Sequence, residues 1–458
     1  MPTEPTLALA RFVAYTKPHE LPERVRREAK RAMLNWLGCA IGASRQDTVE
    51  RAIAALAPFA GPPQATILGR RERFDIGHAA LLNGMTSHTF DFDDTHLKTI
   101  IHPTGPVASA LLALAEHMPV TGEEFIHAFV LGTEVECRIG SAVYPSHYDI
   151  GWHITGTAGV FGAAAAAGRL LGLSEQQLVW ALGIAATQAC GLREMFGSMC
   201  KPLHVGLAAR NGLQAALLAQ QDFTSATQPI EGRRGFANVL ATERDLSRIS
   251  DRLGGTWELE ANSYKPFACG VVVHPVIDGC LQLRAEHDLS ADSIAAIELK
   301  VHPLVLELTG KKAPRTGLEG KFSVYHSAAV AIIDGAAGPA QYSDARVADA
   351  KVVALRDRVY ATIGQALSED AAHVSIRLAD GRVLERFVAH ALGSVGNPVS
   401  DRDLEAKFRG LCAPILTEDA AAAIIAACWR LDASAECGAL ARLTVPQLRA
   451  AEATAEGR

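Results

Sequence analysis

The sequence predicts a mainly α protein with an α+β part set late in the chain. Three observations predict it. Apolar residues recur at helical spacing up to about residue 260. The pattern then turns to strand-like alternation between about 290 and 390. From Asp401 onward helical spacing returns. A chain of 458 residues suits two or three domains, or one large domain with an insertion. The expected division is a helical domain over 1–267, completed by 405–458, and an α+β domain over 268–404.

The elements follow in order. Residues 22–42 open with Pro22 and Glu23, a helix-start signature, and continue with apolar residues at helical spacing. Residues 106–118, 123–144, 153–172, 175–192 and 203–221 read likewise. Small residues crowd together in GTAGVFGAAAAAG, so helices can approach closely and form a mostly buried bundle. Core packing is the simplest account of these alanine runs. Ser293–Pro303 alternates like a strand. His373–Val388 is a hairpin signal, two alternating runs joined by Asp380-Gly381. Between them lie helical patterns at 321–335 and 342–362. Gly393–Pro398 reads as a hinge or exit loop.

Composition excludes several classes. Apolar content is 49% and charged content 21%, ordinary for a soluble globular protein. The net charge of −6 leaves no electrostatic footprint for nucleic acid. The longest uncharged apolar stretch, Gly156–Gly168, is too short for a membrane span, which needs about 20 apolar residues. The nine cysteines are scattered, odd in number and never spaced C-x-x-C. That suits reduced core thiols in a cytoplasm. The N-terminus shows no secretion signal.

The run His88–Gly105, HTFDFDDTHLKTIIHPTG, carries the densest chemistry. Asp91, Asp93, Asp94, Thr95, His88, His96 and His102 fall together between apolar flanks. Partial burial of such a cluster shifts pKa values and favours acid/base chemistry near neutral pH. DFDDT also fits the D-x-D-x-T of haloacid-dehalogenase-type phosphatases. That motif needs a strand before its first Asp, and HAALLNGMTSHTF reads as a helix. The D-x-D-D of terpene cyclases needs an aromatic cavity, and the chain is 6% aromatic. A metal site remains a rival on ligand type, without H-E-x-x-H or paired C-x-x-C support. A plain polar cap, with aspartates as N-caps or turn formers, fits each residue singly.

Cations recur elsewhere. His153 opens an apolar helical run. Lys201-Pro202, with His204, opens another. Lys265-Pro266 reads as a third such opening, with His274 following. A lysine at a helix start, beside free N–H groups, presents positive charge to an anion. Together these pieces suit a pocket for a small di- or tricarboxylic acid, with proton transfer next to a carboxylate. No G-x-G-x-x-G follows a strand and no Walker A pattern occurs, so nucleotide cofactors are unsupported.

DFDDTH…HPTGPV, GWHITGTAGVFGAAAAAGRLLGL, KPLHVGLAARNG and YKPFACGVVVHPVIDG resemble, in this order, the MmgE/PrpD family of 2-methylcitrate dehydratases, cis-aconitate decarboxylases and iminodisuccinate epimerases. The resemblance implies a large all-helical domain and a smaller α+β lid, a homodimer, and cofactor-free, metal-free chemistry in the cleft between the domains. It also implies site residues. His102 would be the general acid/base, with Asp91 and Thr95 orienting it or the substrate. His153, Lys201 and Lys265 would bind carboxylates, and His274 would support them. A pocket tyrosine of the decarboxylase branch falls on His326, with Tyr325 adjacent. Dehydratases of the family carry HPSDN where this chain has His102-Pro103-Thr104-Gly105-Pro106, so the Asp-Asn pair is missing. KPLH and HPTG resemble the decarboxylase and epimerase branches instead. The expected activity is therefore a cofactor-independent lyase or isomerase on a small polycarboxylate. A 2-methylcitrate-type dehydratase, a metal-dependent hydrolase and a non-catalytic carboxylate-binding protein are the alternatives.

Overall fold

The computed structural model describes residues 4–447. Its first layer is a helical bundle. The elements that shape the site are α1 (Glu23–Ala43), α2 (Ile76–His88), α3 (Thr104–His117), α4 (Gly122–Val143), α5 (Ile154–Leu170) and α6 (Glu175–Ala186). The long α7 (Cys200–Gln220) follows. Helix starts follow capping chemistry. Asp75 accepts hydrogen bonds from the Gly77 and His78 backbone N–H groups. Thr121 and Ser174 form capping boxes with Glu124 and Gln177. The helix expected to run to 192 stops at Ala186, and Gly191 takes a left-handed φ of 127° in the loop beyond.

Small residues do what the alanine and glycine runs suggest. At the crossing of α2 and α7, a Cβ on Gly206 would lie 2.2 Å from the Leu81 carbonyl oxygen. One on Gly84 would lie 3.0 Å from the Gly206 Cα. Backbone-to-backbone contact there brings the C-terminal end of α2, with His88, beside the N-terminal turn of α7, with Lys201 and His204.

The second layer is a four-stranded mixed sheet. Its strands are β3 (Ile294–Val301), β4 (Val359–Ile363), β5 (Ala372–Leu378) and β6 (Val383–Val388), in the order β4-β3-β5-β6. β3 and β4 are parallel and the other neighbours antiparallel. Helices α8 (His274–His287) and α9 (Val324–Asp334) pack together and against its strands. The expected strand and hairpin are present. The helical pattern expected over 342–362 is not continuous: a helix over Ala350–Arg356 gives way to β4. Val359, Thr362 and Ile363 are β-branched, and pairing with β3 decides their conformation over the helical spacing. The intervening helices form the crossover that parallel pairing requires.

One short ribbon that the sequence does not signal bears on the site. β1 (Asp94–His96) pairs antiparallel with β2 (Asn262–Tyr264). This ribbon pins the acidic loop to the segment that carries Lys265. The tail returns to the bundle: α10 (Asp401–Cys412) packs on α1, and Phe408 enters the bundle core. Among the described residues, no helix is long and apolar enough to cross a membrane. All nine cysteines are free thiols, and seven are buried.

Candidate active site

The acidic loop leaves α2 at His88 and turns through Asp91, whose φ of 51° lies in the left-handed region. Asp91 is the meeting point. Lys201 Nζ lies 2.8 Å from Asp91 Oδ2 and Lys265 Nζ 2.5 Å from Asp91 Oδ1. Lys265 also donates to the Asp91 carbonyl oxygen, 3.1 Å away. All three side chains are buried. Burial alone would raise the Asp91 carboxyl, but Lys201 and Lys265 hold it well below the usual carboxylate range. Lys265 stays above the ordinary lysine value, because Asp91 and Asp93 outweigh its burial. Burial takes Lys201 below it.

A histidine cluster stands beside these charges. The His102 ring meets the His88 ring edge-on at 4.6 Å, and the His153 ring stacks 5.9 Å from His88. Burial, with help from Lys265, pushes His102 well below the ordinary histidine range, so it is neutral near pH 7. His102 Nδ1 lies 2.8 Å from the Asp94 carbonyl oxygen, an acceptor only. Nδ1 therefore carries the proton, and Nε2 keeps its lone pair. The Thr155 hydroxyl accepts from the His102 backbone N–H at 3.1 Å, and Thr95 Oγ1 sits 3.4 Å from Nδ1. His88 is held by Asp93 at 2.7 Å. His153, at the N-cap of α5, pairs with His204, Nδ1 to Nδ1, at 3.0 Å.

Asp94 differs from its neighbours. Burial and the adjacent Asp93 push it up to about 7, against hydrogen bonds from Thr104 and Asn262. Both donors converge on Oδ2, and Oδ1 has no partner.

Asp91, His102, His153, Lys201 and Lys265 line one small cavity of about 40 Å³ that opens towards solvent. Tyr148, Phe196 and Phe322 add apolar wall, and the Lys201 ammonium sits 5.1 and 5.3 Å from the centroids of the two Phe rings. Thr95 stands behind His102.

Two expectations are corrected. His326 does not reach this cavity. It is buried within the α+β layer, where Nε2 bonds the Gln341 carbonyl at 2.9 Å and the ring meets Tyr342 edge-on. Tyr325 does not line the cavity either; its ring faces Lys312. Phe322, earlier in the same segment, reaches the wall instead. His274 is buried nearby but lines a neighbouring chamber, packed edge-on against Phe267. Lys265-Pro266 does not open a helix: Lys265 follows β2 directly, and α8 begins only at His274. Its ammonium is placed by strand pairing.

Two lysines were missed. Lys407 Nζ bonds Asn35 Oδ1, the Phe92 carbonyl and the Lys265 carbonyl at 2.6–2.8 Å. Lys321 Nζ bonds the Phe90 and Ala268 carbonyls. Burial pushes each down to about 8. They tie the acidic loop to the tail and to the α+β layer. Nothing local marks them; Lys407 lies in DRDLEAKFRG, which reads as a solvated helix face.

The fit to a metal is poor. His88, Asp91, Asp93 and His102 bring ligand atoms within 4.8 Å of one another. Both Asp91 oxygens, however, already face ammonium groups. A divalent ion about 4 Å from an ammonium would be repelled by roughly 8 kcal/mol at an effective dielectric constant of about 20. The donor set suits an anion.

Comparison with known proteins agrees with the segments singled out above. The MmgE/PrpD N-terminal domain matches residues 7–249 and the MmgE/PrpD C-terminal domain residues 267–431. The chain belongs to the MmgE/PrpD family. A cis-aconitate decarboxylase of Aspergillus terreus is 26% identical over 428 residues, covering 87% of each chain. That of Homo sapiens is 27% identical over 458 residues, covering 96% of this chain and 94% of its own. A 2-methylcitrate dehydratase of Cupriavidus necator is 24% identical over 423 residues, covering 85% and 86%.

Proposed function

We propose that this MmgE/PrpD protein is a cofactor-independent lyase or isomerase acting on a small di- or tricarboxylate. One observation carries the reading: two buried ammonium groups from distant segments converge on Asp91 beside a neutral histidine with a free Nε2. A substrate carboxylate would bind at Lys201 and Lys265. His102 Nε2 would take the proton from the carbon next to that carboxylate. The electron pair left behind would delocalise into the carboxylate, where the two ammonium groups stabilise it. His153 would hold a second carboxylate, while Asp91 and Thr95 keep the lysines and His102 in register.

The decarboxylase and epimerase branches fit better than the dehydratase branch. The Asp of the dehydratase HPSDN run would fall on Gly105. A Cβ there would lie 2.6 Å from Val205 Cγ1, so a side chain at this position would require Val205 to move. The relatives' names support a carboxylic acid substrate.

The test is incubation in D₂O with a panel of small polycarboxylates, followed by NMR. Deuterium uptake or product formation at a carbon next to a carboxylate is expected. A stable complex with no exchange in any acid of the panel would make the protein a carboxylate binder instead.

A further inference from the structure

A second chamber adjoins the lysine cavity, with a volume of about 170 Å³. The two share Ile100, Val271 and Val272 as a common wall. Ile100 is the unusual member. Its φ of 61° is left-handed, a conformation that β-branched residues rarely adopt. The tight turn from His96 imposes it: the Ile100 N–H bonds the His96 carbonyl at 2.8 Å. Such a conformation persists only where the surrounding structure holds it in place.

The two spaces differ in charge. The lysine cavity has two ammonium groups. The second chamber has none, and its ionisable groups are His274, Glu369 and Asp370. Asp370 is already paired with His390 at 2.6 Å, and burial raises the Glu369 carboxyl. His274 is buried with an unpartnered Nε2. The rest of the wall is mostly apolar, with Leu97, Ala391 and Leu392, and adds the unpartnered Ser394 hydroxyl. A carboxylate entering this chamber would leave its cations behind and meet two acids. An uncharged chain would bury apolar surface.

We infer that this chamber, behind the Ile100 wall, takes an uncharged apolar arm carried by the polycarboxylate substrate. The inference rests on the function proposed above and narrows its substrate class. The carboxylates stay with Lys201 and Lys265, the arm passes Ile100, and His274 and Ser394 offer isolated hydrogen bonds along an otherwise apolar wall.

Calorimetric titration of the full chain with succinate, butylsuccinate, hexylsuccinate and 6-aminohexylsuccinate tests it. Affinity is expected to rise about 3–4-fold per methylene along the alkyl series until the chamber is filled. Leu392→Trp, which fills the chamber, should abolish that gain and leave succinate binding unchanged. Ala391→Leu, a milder intrusion, should reduce it in the same sense. Succinate binding with no gain from hexylsuccinate overturns the chamber assignment alone. So does tighter binding of the aminohexyl compound than of hexylsuccinate, which would make the chamber a cation site. If none of the four compounds binds, the polycarboxylate reading falls and the chamber assignment with it.

Discussion

His102 Nδ1 lies 2.8 Å from the backbone carbonyl oxygen of Asp94, and that contact sets which nitrogen of the ring can act as a base. A carbonyl only accepts, so the proton sits on Nδ1 and the lone pair on Nε2. His102→Ala should therefore lower kcat by about 10²–10⁴-fold, the usual contribution of a positioned acid/base group. Steady-state kinetics on whichever acid shows exchange in D₂O provides the measurement. Near-normal turnover would remove His102 from the mechanism.

Asp91 bonds two buried ammonium groups at once. Asp91→Asn leaves both without a counter-charge. Breaking a buried pair from one side costs about 3–5 kcal/mol, so a large fall in urea midpoint is expected. Adding Lys265→Met should recover part of the loss while activity stays absent. A single Asp91→Asn variant as stable as the parent would contradict the charge balance described here.

Asp94 makes a prediction about pH. Its folded pKa is raised to about 7 from an ordinary 3.8. The folded state then holds a proton that the unfolded state releases. This contribution to stability is fully present below pH 3.8 and is lost as pH rises towards 7, an effect of about 4 kcal/mol. Asp94→Asn keeps an acceptor for Thr104 and Asn262 and cannot ionise. It should be more stable than the parent at pH 8 and similar at pH 4, by urea unfolding at the two values. An equal difference at both would show that Asp94 does not titrate in this range.

Lys407→Met removes three hydrogen bonds and leaves the Phe92 and Lys265 carbonyls without this donor. Each orphaned buried acceptor costs roughly 1–3 kcal/mol. Reduced thermal stability and a lower kcat are both expected, since the same ammonium ties the acidic loop to the Lys265 strand. Unchanged stability would mean that the tail does not support the site.

Chelation separates the proposed chemistry from a metal-dependent hydrolase. Prolonged treatment with EDTA should leave exchange or turnover intact. Activity lost with chelator and restored by zinc or manganese would reverse the reading of the Asp/His cluster.

Much of this protein was legible in one dimension. Periodicity marks most of the long helices, and Asp380-Gly381 marks the hairpin, because both signals are local. The cluster from His88 to His102 stands out because its polar residues are adjacent in sequence and flanked by apolar runs. Lys201 and Lys265 were found through recurring dipeptides and through resemblance to MmgE/PrpD proteins. Other features depended on partners far away. Lys407 looks solvated until α10 folds against α1, and Val359–Ile363 reads as helix until β3 offers an edge. His326 matched a family position by counting, but the turn of α9 directs it into the α+β layer. The convergence of Lys265 on Asp91, 174 residues away, likewise awaited the ribbon between Asp94–His96 and Asn262–Tyr264. Residue type and local spacing set which groups can ionise and which segments coil. Long-range pairing and burial decide which of those groups meet, and out of reach of water that meeting determines their charge.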